Sequence, residues 1–248
     1  MALIAGLAGL VVSLYGVVVA LLPRQFTAGQ AQQIMAWEVG KRWRSWPAGE
    51  IFPPALGYQL PASSLAASSG LQLTAHRAGI GRQAACAAGA DRAAARVLDQ
   101  NGCTALLRAT YTDATAAFIT TVGVAVLPSS RASGAARDAL TGRGPSAHGA
   151  SSPAPGGQYP GVRALAVNGT LAAGFGDAQR QVSSVIAAGP YLIMYTTGYT
   201  DGRPREQLQP SQYAEGEMVS VSVGIADSIA SRIGAPSPYP RCPGAPGC

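Results

Sequence analysis

The chain has 248 residues, of which 48% are hydrophobic and only 12% charged, a balance that supports a folded core and excludes global disorder. Its 18 basic and 12 acidic side chains leave a net charge of +6. The arginines are scattered and only Lys41-Arg42-Trp43-Arg44 forms a cluster, so the basic stripe expected of a nucleic-acid-binding protein is missing.

In chain order, the first feature is a run without a charged side chain, "MALIAGLAGLVVSLYGVVVALL". A spanning helix needs about 20 apolar residues, because each residue rises about 1.5 Å across a hydrocarbon layer about 30 Å thick. Residues 2–22 meet that length. A cleaved signal has a shorter apolar region behind a basic n-region, and neither property holds here. The run therefore reads as a permanent anchor inserted in the lipid bilayer, in preference to a signal peptide or a buried core helix. Ala5, Gly9 and Ser13 form a small-residue ridge of the kind that lets such helices pack together, a weak pattern that leaves the oligomeric state open. Arg24, Lys41, Arg42 and Arg44 follow the run, which by the positive-inside tendency would keep the bulk of the chain inside. Four cysteines, one lysine and a Pro/Gly/Ser-rich tail favour the outside, and large domains translocate regardless of charge. The expected place is the cell membrane, single-pass, with the C-terminal domain outside.

Thr27 caps a stalk helix through "AGQAQQIMAWEVGKRWRSW", which Pro47 ends. Its tryptophans, Trp37, Trp43 and Trp46, either form an interfacial belt on the membrane or pack the helix onto its own domain. "GEIFPPALGYQLP" is broken by prolines and reads as a connector. Residues 78–100 read as one Ala-rich helix closed by Asn101-Gly102. "CTALLRATY" and "AAFITTVGVAVLP" read as adjacent antiparallel strands, and Ser129 or Ser130 caps the helix "SRASGAARDAL". Residues 141–161, nearly devoid of apolar side chains, read as a flexible insertion. "VRALAVNG", "RQVSSVIAAG" and "YLIMYTTGYTDG" read as strands. "AEGEMVSVSVGIADSIASRIG" reads as a helix, although "MVSVSVGI" also alternates as a strand would.

These elements predict an α+β fold: an N-terminal transmembrane helix and stalk helix, then an antiparallel sheet covered on one face by helices. The domain layout is an anchor at 1–23, stalk and connector at 24–60, an extracytoplasmic domain at 61–234 and an irregular, Cys-containing tail at 235–248. Cys86, Cys103, Cys242 and Cys248 allow three pairings, and the two short loops, Cys86 with Cys103 and Cys242 with Cys248, are the expected ones. With no C-x-x-C pair and two histidines, a zinc site is not expected.

The stretches "GEIFPPALGY", "LDQNGCTALLRATYTD" and "TTVGVAVLPSS" resemble uncharacterised single-pass membrane proteins of actinobacteria. The resemblance covers most of residues 25–235 and implies an anchored, cell-surface α+β domain. It supplies no activity and no functional residue.

Chemistry is sparse. His76 is the only histidine in a folded stretch, since His148 lies in the insertion, and no serine stands in a G-x-S-x-G elbow. The aspartates are dispersed, most of them at helix surfaces or turns, and "GTLAAGFGDA" lacks the pattern of a nucleotide loop. No catalytic residue, cofactor or metal is assigned. Tyr191, Tyr195 and Tyr199 recur on one face of a strand, where they either line a half-buried sheet or form a platform for an envelope protein or glycan. The expectation is a non-catalytic binding or accessory module of the cell envelope. The alternatives are an envelope hydrolase or transferase whose site assembles only in three dimensions, and a structural subunit of a membrane complex.

Overall fold

A computed structural model describes residues 26–60, 72–142, 160–205 and 212–236. Among these residues no helix is long and apolar enough to cross a membrane. The expected anchor, the middle of the insertion with His148, and the pair Cys242 and Cys248 lie outside the described residues.

Six antiparallel strands form one sheet in the order β1-β2-β3-β4-β6-β5. They are β1 Ala55–Tyr58, β2 Leu73–Ile80, β3 Ala105–Thr112, β4 Phe118–Val126, β5 Val182–Ala188 and β6 Tyr191–Tyr199. The centre is β4 between β3 and β6, with Val122 opposite both Ala109 and Tyr195. All nine residues of β4 are buried, so neither of its faces meets water. One face, formed by Val122, Val124, Tyr191 and Ile193, packs under the C-terminal helix α6 Gln212–Gly234 through Ile225, Ile229 and Ile233. The opposite face, formed by Leu106, Ala125, Leu192 and Met194, packs on helices α4 Arg92–Gln100 and α5 Ser130–Leu140 through Leu98 and Ala136.

The α+β class is as expected, but the sheet is covered on both faces and not on one. The reason is visible in β4, whose second face is made of Ile119, Thr121, Gly123 and Ala125, the last three being small or hydroxylated residues that accept a second layer at close range. Part of that layer is "VRALAVNG", which is not a strand. It crosses the sheet: Leu165 N donates to Thr121 Oγ1 at 3.0 Å and Thr110 Oγ1 donates to Leu165 O at 2.7 Å. Threonine hydroxyls thus satisfy main-chain groups that a ladder would otherwise pair. Val162 seats over Gly123, where a Cβ would come within 2.8 Å of it.

Two further expectations are corrected in the first half of the chain. The helix expected over 78–100 is a strand end, a single turn α3 Cys86–Gly89 and then α4, which Asp91 caps by accepting from Ala94 N at 3.0 Å. Gly79 and Gly81 belong to sheet geometry, since a Cβ on either would press on Val167 or Leu165. The expected connector contains α2 Ala48–Ile51 and β1, because its apolar residues Ile51, Phe52, Leu56 and Tyr58 are buried in the core. Its carbonyls are held by side chains: Tyr111 OH donates to Pro53 O at 3.0 Å and Arg77 donates to Phe52 O. The stalk helix α1 Ala28–Ser45, its N-cap Thr27, the strands β3 to β6 and the helices α5 and α6 stand where the sequence predicts them, and Gln30 completes a capping box with Thr27.

Candidate functional site

Cys86 and Cys103 are joined in a disulfide that ties α3 to the chain just before β3. This is the expected pairing, and it closes a loop of sequence separation 17. Beside it lies an open depression of about 950 Å³ whose rim mixes Arg92, Arg96 and Arg163 with Asp91, Asp99 and Asp177. Charges of both signs alternate around it, so no single sign of ligand is favoured.

The tyrosines expected to share a face do share it, because Tyr191, Tyr195 and Tyr199 alternate along β6. That face is the one under α6. Tyr191 is fully buried and Tyr195 is 4% exposed, so only the half-buried Tyr199 approaches the surface, stacked with Phe118 and under the Arg203 guanidinium. Tyr191 OH donates to Val39 O of α1 and accepts from Trp43 N–H, and burial pushes its phenol up to about 12. The tyrosines line a core and hold a helix; Tyr191 and Tyr195 are not presented to a ligand.

Ionisable groups inside the body hold main chain or other side chains. Arg42, 5% exposed, reaches from α1 to the end of α6 and donates to the carbonyls of Ile233 at 3.0 Å and Ala235 at 2.6 Å. A cation there satisfies carbonyls that a helix end leaves unpaired and suits the helix dipole. Arg180, also buried, donates to Thr196 Oγ1 at 3.0 Å and Ser183 Oγ at 3.0 Å and pairs with Asp91 at 3.4 Å. Asp91 also accepts from Gly161 N at 2.7 Å. Asp113 accepts from Phe118 N and Thr115 N and so shapes the turn between β3 and β4. His76 is exposed on β2, with Ala55 and Thr112 as its cross-strand neighbours, so its register places no carboxylate or serine beside it. Among the described residues no three His, Cys, Asp or Glu side chains converge as a metal site requires.

Sequence reasoning missed Arg42 and Arg180 because their partners lie far along the chain. The one local signal was that Arg42 follows Val39 by three residues and so shares the buried helix face.

The remaining concavity is a groove of about 860 Å³ between α1 and the chain ends at the edge of the sheet, namely Leu127 to Ser130 after β4 and Gly189-Pro190 before β6. Lys41 lies over the Trp37 ring at 3.8 Å and Arg44 over the Trp43 ring at 4.4 Å. Trp43 and Trp46 pack partly on the core, so the stalk helix is part of the domain while one flank stays open to solvent. No family model matches the chain, and neither a curated protein nor a solved structure matches it at a significant score.

Proposed function

We propose that this chain is a membrane-anchored, extracytoplasmic, non-catalytic module of the cell envelope that binds or supports an envelope protein or glycan, as the actinobacterial single-pass proteins it resembles would be. Residues 2–22 hold it in the bilayer and the folded body stands outside. The observation that carries this reading is the Cys86–Cys103 disulfide, since such bonds persist in oxidising compartments and are rare where thiol reductants dominate. Its non-catalytic character is supported by the use of Arg42, Asp91 and Asp113 as main-chain anchors and of Arg180 as a link among the side chains of Thr196, Ser183 and Asp91, which leaves these groups engaged in structure.

The test is labelling of intact cells with a membrane-impermeant thiol reagent, using a Cys242→Ser/Cys248→Ser variant so that only the described pair reports. The expected result is no labelling, even after denaturation, until reductant is added, followed by labelling from outside. Recovery of the protein from the cytosol with Cys86 and Cys103 reactive would end the proposal.

A further inference from the structure

The groove beside α1 differs from the charged depression beside the disulfide. Its walls are largely apolar, built chiefly from Met35, Val126, Leu127, Pro128 and Pro190 with uncharged hydroxyl and amide side chains among them, and its volume lies in the range of small-molecule sites. Its mouth carries two cations, Lys41 and Arg44, both exposed and each lying on a tryptophan ring. Among the described residues no carboxylate lines it, and the one acid of α1, Glu38, faces Arg42 at 3.9 Å instead. An apolar trough with a cationic, tryptophan-flanked mouth complements an amphiphile with one anionic end.

The position of α1 in the chain indicates where that amphiphile comes from. The charge-free run of residues 2–22 ends five residues before Thr27, the N-cap of α1. Five residues span at most about 17 Å, so an anchor in the bilayer would hold the start of α1 near the headgroups, and with α1 lying along the membrane surface its tryptophan and basic side chains would sit at the depth where they are favoured. We propose that the groove seats an anionic phospholipid drawn from the adjoining leaflet, with its phosphate between Lys41 and Arg44 and the first part of an acyl chain along Met35 and Pro190. This rests on the anchored reading given above.

Trp37, Trp43 and Trp46 are the only tryptophans of the chain, so its selectively excited tryptophan emission reports this helix and its C-cap alone. The full-length protein would be placed in phosphatidylcholine nanodiscs containing brominated phosphatidylglycerol or, at equal mole fraction, brominated phosphatidylcholine. The expected result is quenching at least about threefold steeper with the anionic lipid, since a basic residue at a membrane surface favours anionic lipid severalfold. Lys41→Glu/Arg44→Glu should abolish that preference and Lys41→Gln/Arg44→Gln should weaken it. Equal quenching by both lipids, or a preference that survives the charge reversal, overturns the lipid site while leaving the anchor standing. Failure of the chain to enter nanodiscs at all overturns the anchor as well. Inorganic phosphate that reproduces the emission change in lipid-free detergent would make this an anion site and overturn the lipid. A preference appearing only after truncation behind Pro236 would show that residues 237–248 occupy the groove, and overturns it too.

Discussion

Tyr191 shows how a single side chain joins two distant parts of this molecule. Its ring lies in the core beneath α6 while its hydroxyl reaches the α1 backbone, donating to Val39 O and accepting from Trp43 N–H. Those two groups sit at helical spacing and bond each other in part, so Tyr191→Phe should cost about 1 kcal/mol and not the full penalty of orphaned groups. The pH dependence follows from burial, which raises the phenol from its ordinary 10 to about 12. A folded-state value above the unfolded one contributes stability that is complete below about pH 10 and disappears as pH rises toward 12. The destabilisation caused by Tyr191→Phe should therefore be smaller at about pH 11 than at pH 8, because the wild-type protein has by then lost part of what the hydroxyl supplied. Urea titrations at the two values measure this; an equal or larger difference at the higher pH would show that the hydroxyl is not held as described.

At the scale of elements, α6 holds both ends of the fold. Ser228 on it donates to Gly57 O of β1 at 2.9 Å, and Arg232 donates to Glu50 O of α2. Close approach to β1 depends on Gly224, where a Cβ would fall 2.5 Å from Gln59 O. Replacing a helical glycine by alanine ordinarily gains up to about 1 kcal/mol. Here the added methyl meets backbone that cannot step aside as a flexible side chain would, and overpacking of this kind costs typically about 1–3 kcal/mol, so Gly224→Ala should destabilise. Gly216 on the same helix has nothing within 4 Å of its missing Cβ, and Gly216→Ala should be neutral or stabilising. Opposite signs in chemical denaturation would verify the packing; equal signs would refute it. The same elements explain what was legible beforehand. Strands β3 to β6 announce themselves through runs of aliphatic, aromatic and β-branched residues bounded by Asn101-Gly102, Pro128 and Gly189-Pro190. Strands β1 and β2 do not, because "ALGY" is very short and "LTAHRAGI" mixes Ala, Gly, His and Arg without alternation, so its burial follows from its neighbours. The second covered face was equally hidden, since Thr121 and Gly123 look polar or small in sequence and become a floor only once Leu165 and Val162 lie on them.

At the scale of the whole molecule, the two faces of the sheet are closed by different means. Under α6 the closure is a continuous apolar core, with Met218, Val221, Ile225, Ile229 and Ile233 facing the sheet. On the other face the cover is assembled from short pieces: α3, α4, α5 and a segment that crosses the sheet without joining its ladder, bridged only to Ala90. Short pieces bury less apolar surface for each residue ordered, and their entropy on folding is the harder to offset. The covalent link lies in that layer, where Cys86 and Cys103 join α3 to the entry of β3. Closing a loop of this length constrains the unfolded chain by about 3 kcal/mol on the chain-entropy account. A domain of this size has total stability on the order of 5–15 kcal/mol, so removing the link should weaken the fold without abolishing it. On a Cys242→Ser/Cys248→Ser background, Cys86→Ser/Cys103→Ser should lower Tm by about 6–12 °C while leaving the far-ultraviolet circular dichroism of the folded state unchanged. Reductant should bring the parent protein down to the same Tm and leave the serine variant unaffected. A parent whose melting ignores reductant would mean that the crossing segment and α4 are held by their packing and by the Asp91–Arg180 contacts alone.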